Sequence, residues 1–170
     1  DKPLHEVFED QLLCADMVLL NKSDLLDEDE MQSVRADLAV ATAAGLLGQG
    51  KVVAILSGRM EYGPRALGCR SIMVSPARRE ANDSLNARHG RSEFMPFAPV
   101  IAEEDARGVF EVTDANAYAM RFMTITCGVT AEWAGRIPAV VHVDGTARPQ
   151  VIRRGDNPLY YDILQAFKEK

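Results

Sequence analysis

The amino-acid sequence predicts an α/β fold in which helices cover a mixed β-sheet. Two short apolar runs, at residues 15–20 and 51–56, have the length and composition of buried strands. An alanine-rich stretch over residues 28–47 predicts a long helix, and residues 158–167 predict another helix at the end of the sequence. Because strands and helices do not alternate in a regular βαβ rhythm, we expect strands of both directions in the sheet.

In the first half of the chain, capping and turn residues mark where the elements begin and end. Asp27 and Glu30 form the capping-box pattern that opens a helix, and Gly48 and Gly50 are typical of a helix end. Glycines and a proline interrupt residues 57–70, so we expect a loop there. The predicted order is a helix over 4–14, a strand over 15–20, a helix over 28–47, a strand over 51–56 and the loop over 57–70.

The second half of the chain combines shorter elements. Apolar and polar residues alternate over residues 118–129, which predicts a strand. The apolar residues 139–143 precede a turn at Asp144 and Gly145, and they predict another strand. Two prolines make residues 93–99 irregular. The remaining predictions are strands over 71–75 and 150–153 and helices over 77–87, 102–111 and 158–167.

The composition is that of a globular chain in a reducing compartment. The apolar fraction of 47% is enough for a core, and no apolar run approaches the roughly 18 residues of a membrane span. No basic and then apolar leader opens the sequence. Cys14, Cys69 and Cys127 are odd in number and far apart, which argues against a disulfide scaffold or a zinc ribbon. We therefore expect a cytoplasmic protein without a membrane partner.

Charge is distributed unevenly along the chain. The net charge of −6 argues against nucleic acid as a general partner. Residues 1–38 hold eleven acids against three bases, whereas residues 59–91 hold seven arginines against three acids and contain no lysine. The planar guanidinium of arginine forms paired hydrogen bonds with phosphate or carboxylate. This stretch therefore predicts a compact anionic ligand, and the alternative is a solvated basic surface.

A tetrapeptide typical of guanine recognition follows the first apolar run. Residues Asn21, Lys22, Ser23 and Asp24 give the NKxD pattern, in which the carboxylate accepts both N–H groups on one edge of guanine. The stretch LHEVFEDQLLCADMVLLNKSDLL resembles CobW-type P-loop GTPases, which are metal chaperones, over residues 4–38. In the alternative interpretation, Asn21 and Asp24 only cap and turn the chain between a strand and a helix.

A GTPase also needs a phosphate loop, and residues 45–51 are the nearest candidate. Their sequence GLLGQGK has the GxxxxGK spacing, but Val52 stands where Ser or Thr would hold magnesium. This segment would also leave a helix and enter a strand, which reverses the strand–loop–helix order of a phosphate loop. We therefore do not expect a complete GTP site.

The most informative motif is the arginine- and glycine-rich loop at residues 57–72, with the sequence SGRMEYGPRALGCRSI. Glycines let the backbone approach a ligand, and backbone N–H groups can then join arginines around phosphate oxygens. GRMEYGPRALGCRSI resembles the signature of the NodU-type O-carbamoyltransferases. Three further blocks, DSLNARHGRSEFMPFAPVI, RIPAVVHVDGTARPQVI and NPLYYDILQAF, follow in that family's order, so the resemblance covers residues 40–167.

The resemblance implies a YrdC-like carboxy-terminal domain that binds carbamoyl phosphate and ATP and forms carbamoyl-adenylate, with Mg²⁺ as a companion of the nucleotide. A separate amino-terminal domain of the family transfers the carbamoyl group to a hydroxyl on a sugar or similar acceptor and holds the family's metal, so no metal site is expected in this chain. On this basis Arg65 and Arg148 are the candidate phosphate ligands, and His142 is a candidate catalytic residue. The candidate binding residues are Arg59, Arg70, Ser71, His89, Arg91, Asp144 and Thr146.

Several of these residues have a structural alternative. Arg59 could pair with Glu61 on the surface, and His142 could be a satisfied histidine within a core strand. Asp144 could orient an arginine rather than take part in acid–base chemistry. We expect four further charged residues to be solvated, namely Arg78, Arg79, Asp105 and Arg107.

Two family features, the TGxP turn and the NTSFN motif, would follow the last block, but the sequence ends at Lys170. The sequence therefore predicts a chimera of a CobW-like segment at residues 1–38 and a truncated carbamoyltransferase domain at residues 39–170. Three hypotheses follow: a carbamoyl-phosphate- and ATP-binding domain with partial activity, a non-catalytic chimeric module, or a GTP-binding metal-chaperone fragment. An exposed sheet edge would favour a homodimer.

Overall fold

A computed structural model describes residues 17–21, 29–88, 90 and 96–170 of the chain. The described residues form helices and small mixed sheets, which confirms the predicted α/β fold. The strands are β1 (Met17–Asn21), β2 (Val53–Ser57), β3 (Arg70–Met73), β4 (Val100–Ala102), β5 (Cys127–Gly128), β6 (Thr146–Ala147) and β7 (Gln150–Ile152). The helices are α1 (Asp29–Gly48), α2 (Glu80–Arg88), α3 (Glu103–Val109), α4 (Ala117–Met120), α5 (Ala131–Ala134) and α6 (Pro158–Lys168).

The chain divides into two compact units. The first unit contains the residues up to Ser75 together with Asn157–Lys170, and the second contains Pro76–Asp156. The loop with the arginine motif belongs to the first unit, and the HVDGTAR block belongs to the second.

In the first unit, β2 is the central strand of a three-stranded mixed sheet. Strand β1 runs parallel to β2, and β3 runs antiparallel to it. Val53, Ala54 and Ile55 of β2 are buried in succession, so both faces of this part of the strand are covered. This arrangement explains why the apolar run at residues 51–56 could be identified as a strand from composition.

Helices α1 and α6 pack against each other in the same unit. The small residues Ala43 and Ala44 of α1 are completely buried. Helix α6 buries Tyr160 and Ile163, and the Asn157 side chain caps its start by accepting a hydrogen bond from the Tyr160 N–H at 3.1 Å. Tyr160 also lies beside Gly68 of the loop between β2 and β3.

The second unit has its own core, to which short elements contribute. Strand β4 pairs in parallel with β7, and β5 pairs antiparallel with β6. The core side chains come from helices, strands and irregular segments alike, and they are Ala106, Val109, Phe110, Met120, Cys127, Ile137, Val140, Ala147 and Val151.

The strand predicted over residues 118–129 is wrong. Residues 117–120 form α4, a turn follows, and β5 covers only Cys127 and Gly128. The Asn116 side chain bonds to the segment before α4: it accepts from the Thr113 N–H at 2.8 Å and donates to the Glu111 carbonyl at 3.1 Å. Helical backbone bonds follow, from the Ala117 N–H to the Thr113 carbonyl at 3.0 Å and from the Met120 N–H to the Asn116 carbonyl at 3.1 Å, and Met120 is buried in the core.

The strand predicted over residues 139–143 is also wrong. A turn closes there through a hydrogen bond from the Val140 N–H to the Ile137 carbonyl at 3.2 Å. Ala139 and Val140 are nevertheless buried. The apolar run therefore indicates burial in the core, and it does not indicate an extended backbone. His142 therefore does not lie within a strand.

The predicted boundary between residues 38 and 39 stays a prediction. Helix α1 passes through this point without a break, and β1 and β2, which lie on either side of it in sequence, pair in one sheet. The helix predicted over residues 4–14 and the capping residue Asp27 lie outside the described residues.

Within the described ranges, we find no helix with the length and apolar character required to cross a bilayer.

Replacement of a core aromatic tests this description of the second unit. Phe110 is 2% exposed and lies in its core, so we expect Phe110→Ala to lower the free energy of unfolding by about 3–5 kcal/mol, because the change leaves a cavity. Urea denaturation followed by circular dichroism measures the change. Val143→Ala is the control, since Val143 is 96% exposed, and it should shift the free energy by less than about 0.5 kcal/mol. Equal effects of the two changes would contradict the assigned core.

Candidate functional site

The arginine motif forms the loop between β2 and β3. The loop closes at its base through a hydrogen bond from the Ser57 N–H to the Cys69 carbonyl at 2.8 Å. Gly68 has a φ of +127°, and a Cβ at this position would lie 2.5 Å from Tyr160 Cδ1 and 2.8 Å from Asn157 Nδ2. Both the backbone conformation and the close approach of α6 therefore require glycine here.

The Glu61 carboxylate holds the two halves of the loop together. Its Oε1 accepts hydrogen bonds from the N–H groups of Leu67 and Cys69, each at 3.0 Å, and its Oε2 lies 3.1 Å from the Leu67 nitrogen. The Glu61 side chain is only 12% exposed. These bonds replace the water that the carboxylate loses on burial, so Glu61 fixes where the chain returns toward β3.

The Arg70 guanidinium completes this contact from the start of β3. It donates to the Glu61 carbonyl at 2.9 Å, to the Gly63 carbonyl at 2.6 Å and to the Arg65 carbonyl at 3.4 Å. Its Nε lies 3.7 Å from Glu61 Oε2. Arg70 thus satisfies backbone acceptors of the loop, and we refer to Glu61 and Arg70 together as the loop clamp.

Buried polar groups lie beneath the loop clamp. Ser71 is buried, and it forms a hydrogen bond with the Tyr160 hydroxyl. Burial raises the pKa of Tyr160 above its ordinary range, the Ser71 hydrogen bond lowers it in part, and the Glu61 charge raises it further. Burial and Glu61 also raise the pKa of the Cys69 thiol, so this cysteine is kept neutral and is not an activated nucleophile.

The loop carries two further arginines, Arg59 and Arg65. Arg59 is exposed and Arg65 is half-buried, and within the part of the chain that the structure describes no hydrogen bond or ion pair engages either guanidinium. Met60 and Tyr62 are also highly exposed on this loop, at 75% and 104%. The alternative pairing of Arg59 with Glu61 is wrong, because the Glu61 carboxylate is used by Leu67, Cys69 and Arg70.

A second cluster lies at the turn over residues 142–146 of the other unit. The Gly145 N–H donates to the His142 carbonyl at 3.0 Å, and the His142 N–H donates to the Thr146 carbonyl at 2.7 Å. Asp144 Oδ1 accepts from the Thr146 N–H at 3.0 Å and from its hydroxyl at 2.8 Å. Thr146 Oγ1 also lies 3.0 Å from His142 Nδ1.

This turn changes two of the interpretations made from the sequence. Hydrogen bonds from the backbone and side chain of Thr146 lower the pKa of Asp144, so Asp144 orients a threonine and not an arginine. His142 is half-buried in a turn and is not a histidine within a core strand. The structure therefore brings three of the predicted site residues together, namely His142, Asp144 and Thr146.

The other predicted site residues are distributed as follows. Arg59, Arg65, Arg70 and Ser71 belong to the first unit, and Arg148, which is half-buried after β6, belongs to the second. His89 and Arg91 lie outside the described residues. Of the residues expected to be solvated, Arg78, Arg79 and Arg107 are exposed, whereas Asp105 is half-buried.

Sequence reasoning missed the two residues that organise the loop from within. The sequence suggests Glu61 only as a surface partner of Arg59, and it gives no reason to place Tyr160 beside the motif. The signal for Glu61 was present, since it is the single acid within the arginine-rich residues 59–70. No local signal pointed to Tyr160, which lies far along the chain.

The described residues test only part of the GTPase-like features. Residues 45–51 form the end of α1 and the turn that enters β2, so the order is helix, turn and strand as predicted. Asn21 ends β1, and the other residues of the NKxD pattern lie outside the described ranges. In those ranges, no three metal-ligating side chains lie together.

Comparison with known proteins decides the family. The model of the carbamoyltransferase C-terminus matches residues 44–170, which is most of the chain. This chain belongs to the carbamoyltransferase C-terminal family. The resemblance inferred from the arginine motif is thereby confirmed. The nucleotide-binding domain model of CobW, HypB and UreG also matches residues 1–54, as the NKxD segment indicated.

Individual relatives support this assignment. The chain is 40% identical to the nodulation protein NolO of Bradyrhizobium diazoefficiens over 137 residues, which cover 80% of the chain and 25% of the relative. It is 42% identical to nodulation protein U of Azorhizobium caulinodans over 111 residues, covering 65% and 19%. It is 39% identical to the 3'-hydroxymethylcephem-O-carbamoyltransferase of Amycolatopsis lactamdurans over 124 residues, covering 73% and 23%. The chain thus spans about a fifth to a quarter of the length of the relatives it matches.

The loop clamp leads to a stability prediction. Glu61→Ala leaves the Leu67 and Cys69 N–H groups without their acceptor, and we expect it to lower the free energy of unfolding by about 2–4 kcal/mol. Glu61→Gln should cost less, because one amide oxygen can still accept from both N–H groups as Oε1 does now. Urea denaturation measures both changes.

The matched control for this experiment is Glu169→Ala, which removes an equal charge from an exposed position at the end of α6. We expect a change below about 0.5 kcal/mol for it. A Glu61→Ala variant as stable as this control would contradict the role assigned to the loop clamp.

Proposed function

We propose that this chain forms the carbamoyl-phosphate- and ATP-binding part of an O-carbamoyltransferase. Family membership supports carbamoyl transfer in general, and one relative carries the name of an O-carbamoyltransferase. The proposal that this chain binds carbamoyl phosphate and ATP rests on one observation: the arginines of the loop differ in their hydrogen bonding. Arg70 donates to backbone carbonyls of the loop, whereas no described residue forms a hydrogen bond or ion pair with the guanidinium of Arg59 or Arg65.

The net charge of the chain bears on how the Arg59 and Arg65 side chains are interpreted. The chain is acidic overall, with a net charge of −6, and a free guanidinium could find many carboxylates. No carboxylate in the described ranges pairs with Arg59 or Arg65, and an arginine on a loop with a fixed backbone is preorganised for an external anion. Phosphate groups of carbamoyl phosphate and ATP fit this requirement, because guanidinium groups donate paired hydrogen bonds to their oxygens.

The chemical task of these arginines follows from the charges of the ligands. Carbamoyl phosphate and the triphosphate of ATP repel each other, and positive groups must offset this repulsion before the two can react. As the carbamoyl group leaves its phosphate, negative charge grows on the phosphate oxygens, and preorganised donors stabilise that charge. In this proposal water cleaves carbamoyl phosphate to carbamate and inorganic phosphate, and a carbamate oxygen then attacks the α-phosphorus of ATP, which gives carbamoyl-adenylate and releases pyrophosphate. Mg²⁺ accompanies the nucleotide, and in the full-length enzyme a hydroxyl acceptor takes the carbamoyl group and releases AMP.

Titration calorimetry with carbamoyl phosphate and ATP tests the proposal. We expect the parent chain to bind both ligands and Arg65→Ala to weaken carbamoyl phosphate binding by about 10- to 100-fold, because a charged hydrogen bond is worth about 1.5–3 kcal/mol. Arg79→Ala is the matched control: it removes the same charge from an exposed position outside the loop, and it should bind as the parent does. An equal loss of carbamoyl phosphate affinity in the two variants would show that only the total charge matters, and it would contradict the role of Arg65.

The CobW match makes guanine-nucleotide binding the second candidate function. The same titration with GTP decides between the two. GTP binding that is tighter than ATP binding and is lost in Asp24→Ala would favour the GTPase-like alternative and would overturn the ATP assignment. Binding of none of the three ligands would leave the non-catalytic module as the remaining hypothesis.

A further inference from the structure

The first turn of α6 contacts the returning half of the loop between β2 and β3. The Tyr160 ring and the Asn157 amide lie so close to Gly68 that a Cβ there would come within 2.5 Å of Tyr160 Cδ1 and 2.8 Å of Asn157 Nδ2. Asn157 Nδ2 also donates to Cys69 Sγ at 3.7 Å, and the Tyr160 hydroxyl forms a hydrogen bond with Ser71. All five residues belong to the first unit, so these contacts are internal to it.

The two side chains that α6 contributes are themselves held in place. Tyr160 is 4% exposed, and α6 packs against α1 in the same unit. The Asn157 side chain has two tasks, because its oxygen accepts from the Tyr160 N–H at 3.1 Å and caps the helix while its nitrogen contacts the loop. A single amide group thus joins the start of α6 to the loop.

The backbone of Arg65 is connected to the part of the loop that α6 supports. The Arg65 carbonyl accepts from the Arg70 guanidinium at 3.4 Å, and the Leu67 N–H, two residues further on, donates to Glu61 at 3.0 Å. Residues 68–71, which α6 contacts, follow directly. A displacement of this half of the loop therefore moves Arg65 as well, and a ligand-binding group must be held within about 0.5 Å of its productive position.

We propose that Tyr160 and Asn157 are positioning residues of the proposed anion site. They act through the backbone of residues 68–71 and keep the Arg65 guanidinium where it meets the phosphate of carbamoyl phosphate. The inference rests on the proposed function, which supplies the ligand, whereas the contacts between α6 and the loop do not depend on it. The site then includes a helix whose cap, Asn157, is 88 residues from Cys69 in the sequence.

Two substitutions remove these contacts and leave α6 otherwise intact. Tyr160→Phe removes the hydroxyl that bonds Ser71 and keeps the ring beside Gly68. Asn157→Ser keeps an oxygen that can cap the helix, but it has no amide for Cys69. We expect each variant to bind carbamoyl phosphate about 2- to 10-fold more weakly, which is the factor that one net hydrogen bond contributes. Titration calorimetry of the folded chain measures this loss.

A double-mutant cycle separates positioning from a general loss of stability. Since Tyr160 acts through Arg65, Tyr160→Phe should weaken binding in the parent but change it by less than about twofold in the Arg65→Ala variant. Additive losses would overturn the proposal.

The control for lost stability is Leu47→Val, which removes a methylene from a residue of α1 that is 2% exposed in the same unit. This variant should unfold more easily, and its folded form should bind carbamoyl phosphate as the parent does. A loss of affinity equal to that of Tyr160→Phe would contradict the positioning role.

Amide hydrogen exchange without ligand separates this inference from the proposed function. We expect the Leu67 and Cys69 N–H groups to exchange faster in Asn157→Ser than in the parent, while the Ile55 N–H of the central strand changes little. If exchange changes in this way but the parent does not bind carbamoyl phosphate, the proposed function fails, and the ligand role of α6 fails with it. If the parent binds and neither variant alters affinity or exchange, the positioning role is overturned and the proposed function stands.

Discussion

The arrangement of the loop between β2 and β3 depends on the buried carboxylate of Glu61. A carboxylate that loses its water is stable only where N–H donors and a positive charge replace it, and here Leu67, Cys69 and Arg70 do so. The partners lie on the returning half of the loop, so the same bonds close the loop. The loop clamp thereby provides partners for two N–H groups and three carbonyls of an irregular, glycine-rich backbone.

This internal satisfaction has a consequence for binding. A loop that is held by its own polar groups does not need the ligand to order it, and less free energy is lost when the ligand binds. The side chains of Arg59 and Arg65 take no part in these bonds. Of the three arginines in the motif, Arg70 therefore has a structural role, and Arg59 and Arg65 are the ones that our proposal assigns to an anion.

The parts of the fold that could be predicted are those where burial and local preference agree. Strand β2 is buried on consecutive residues, and α1 and α6 are long helices with suitable ends. Residues 118–129 and 139–143 could not be predicted in this way, because their apolar side chains enter a core from turns and short helices. Alternation and apolar runs report burial, and they do not report the backbone conformation that achieves it.

The sequence by itself determined the family of this chain and its α/β class. It also identified the two segments that hold the candidate site residues, which are the arginine motif and the HVDGTAR block. Tertiary structure alone decided which guanidinium the loop uses, which oxygen orients His142, and that Tyr160 of α6 lies beneath Ser71. The physical reason is that hydrogen bonding depends on atoms that approach within about 3 Å. Packing brings those atoms together across the chain, and a local pattern of residues does not specify that approach.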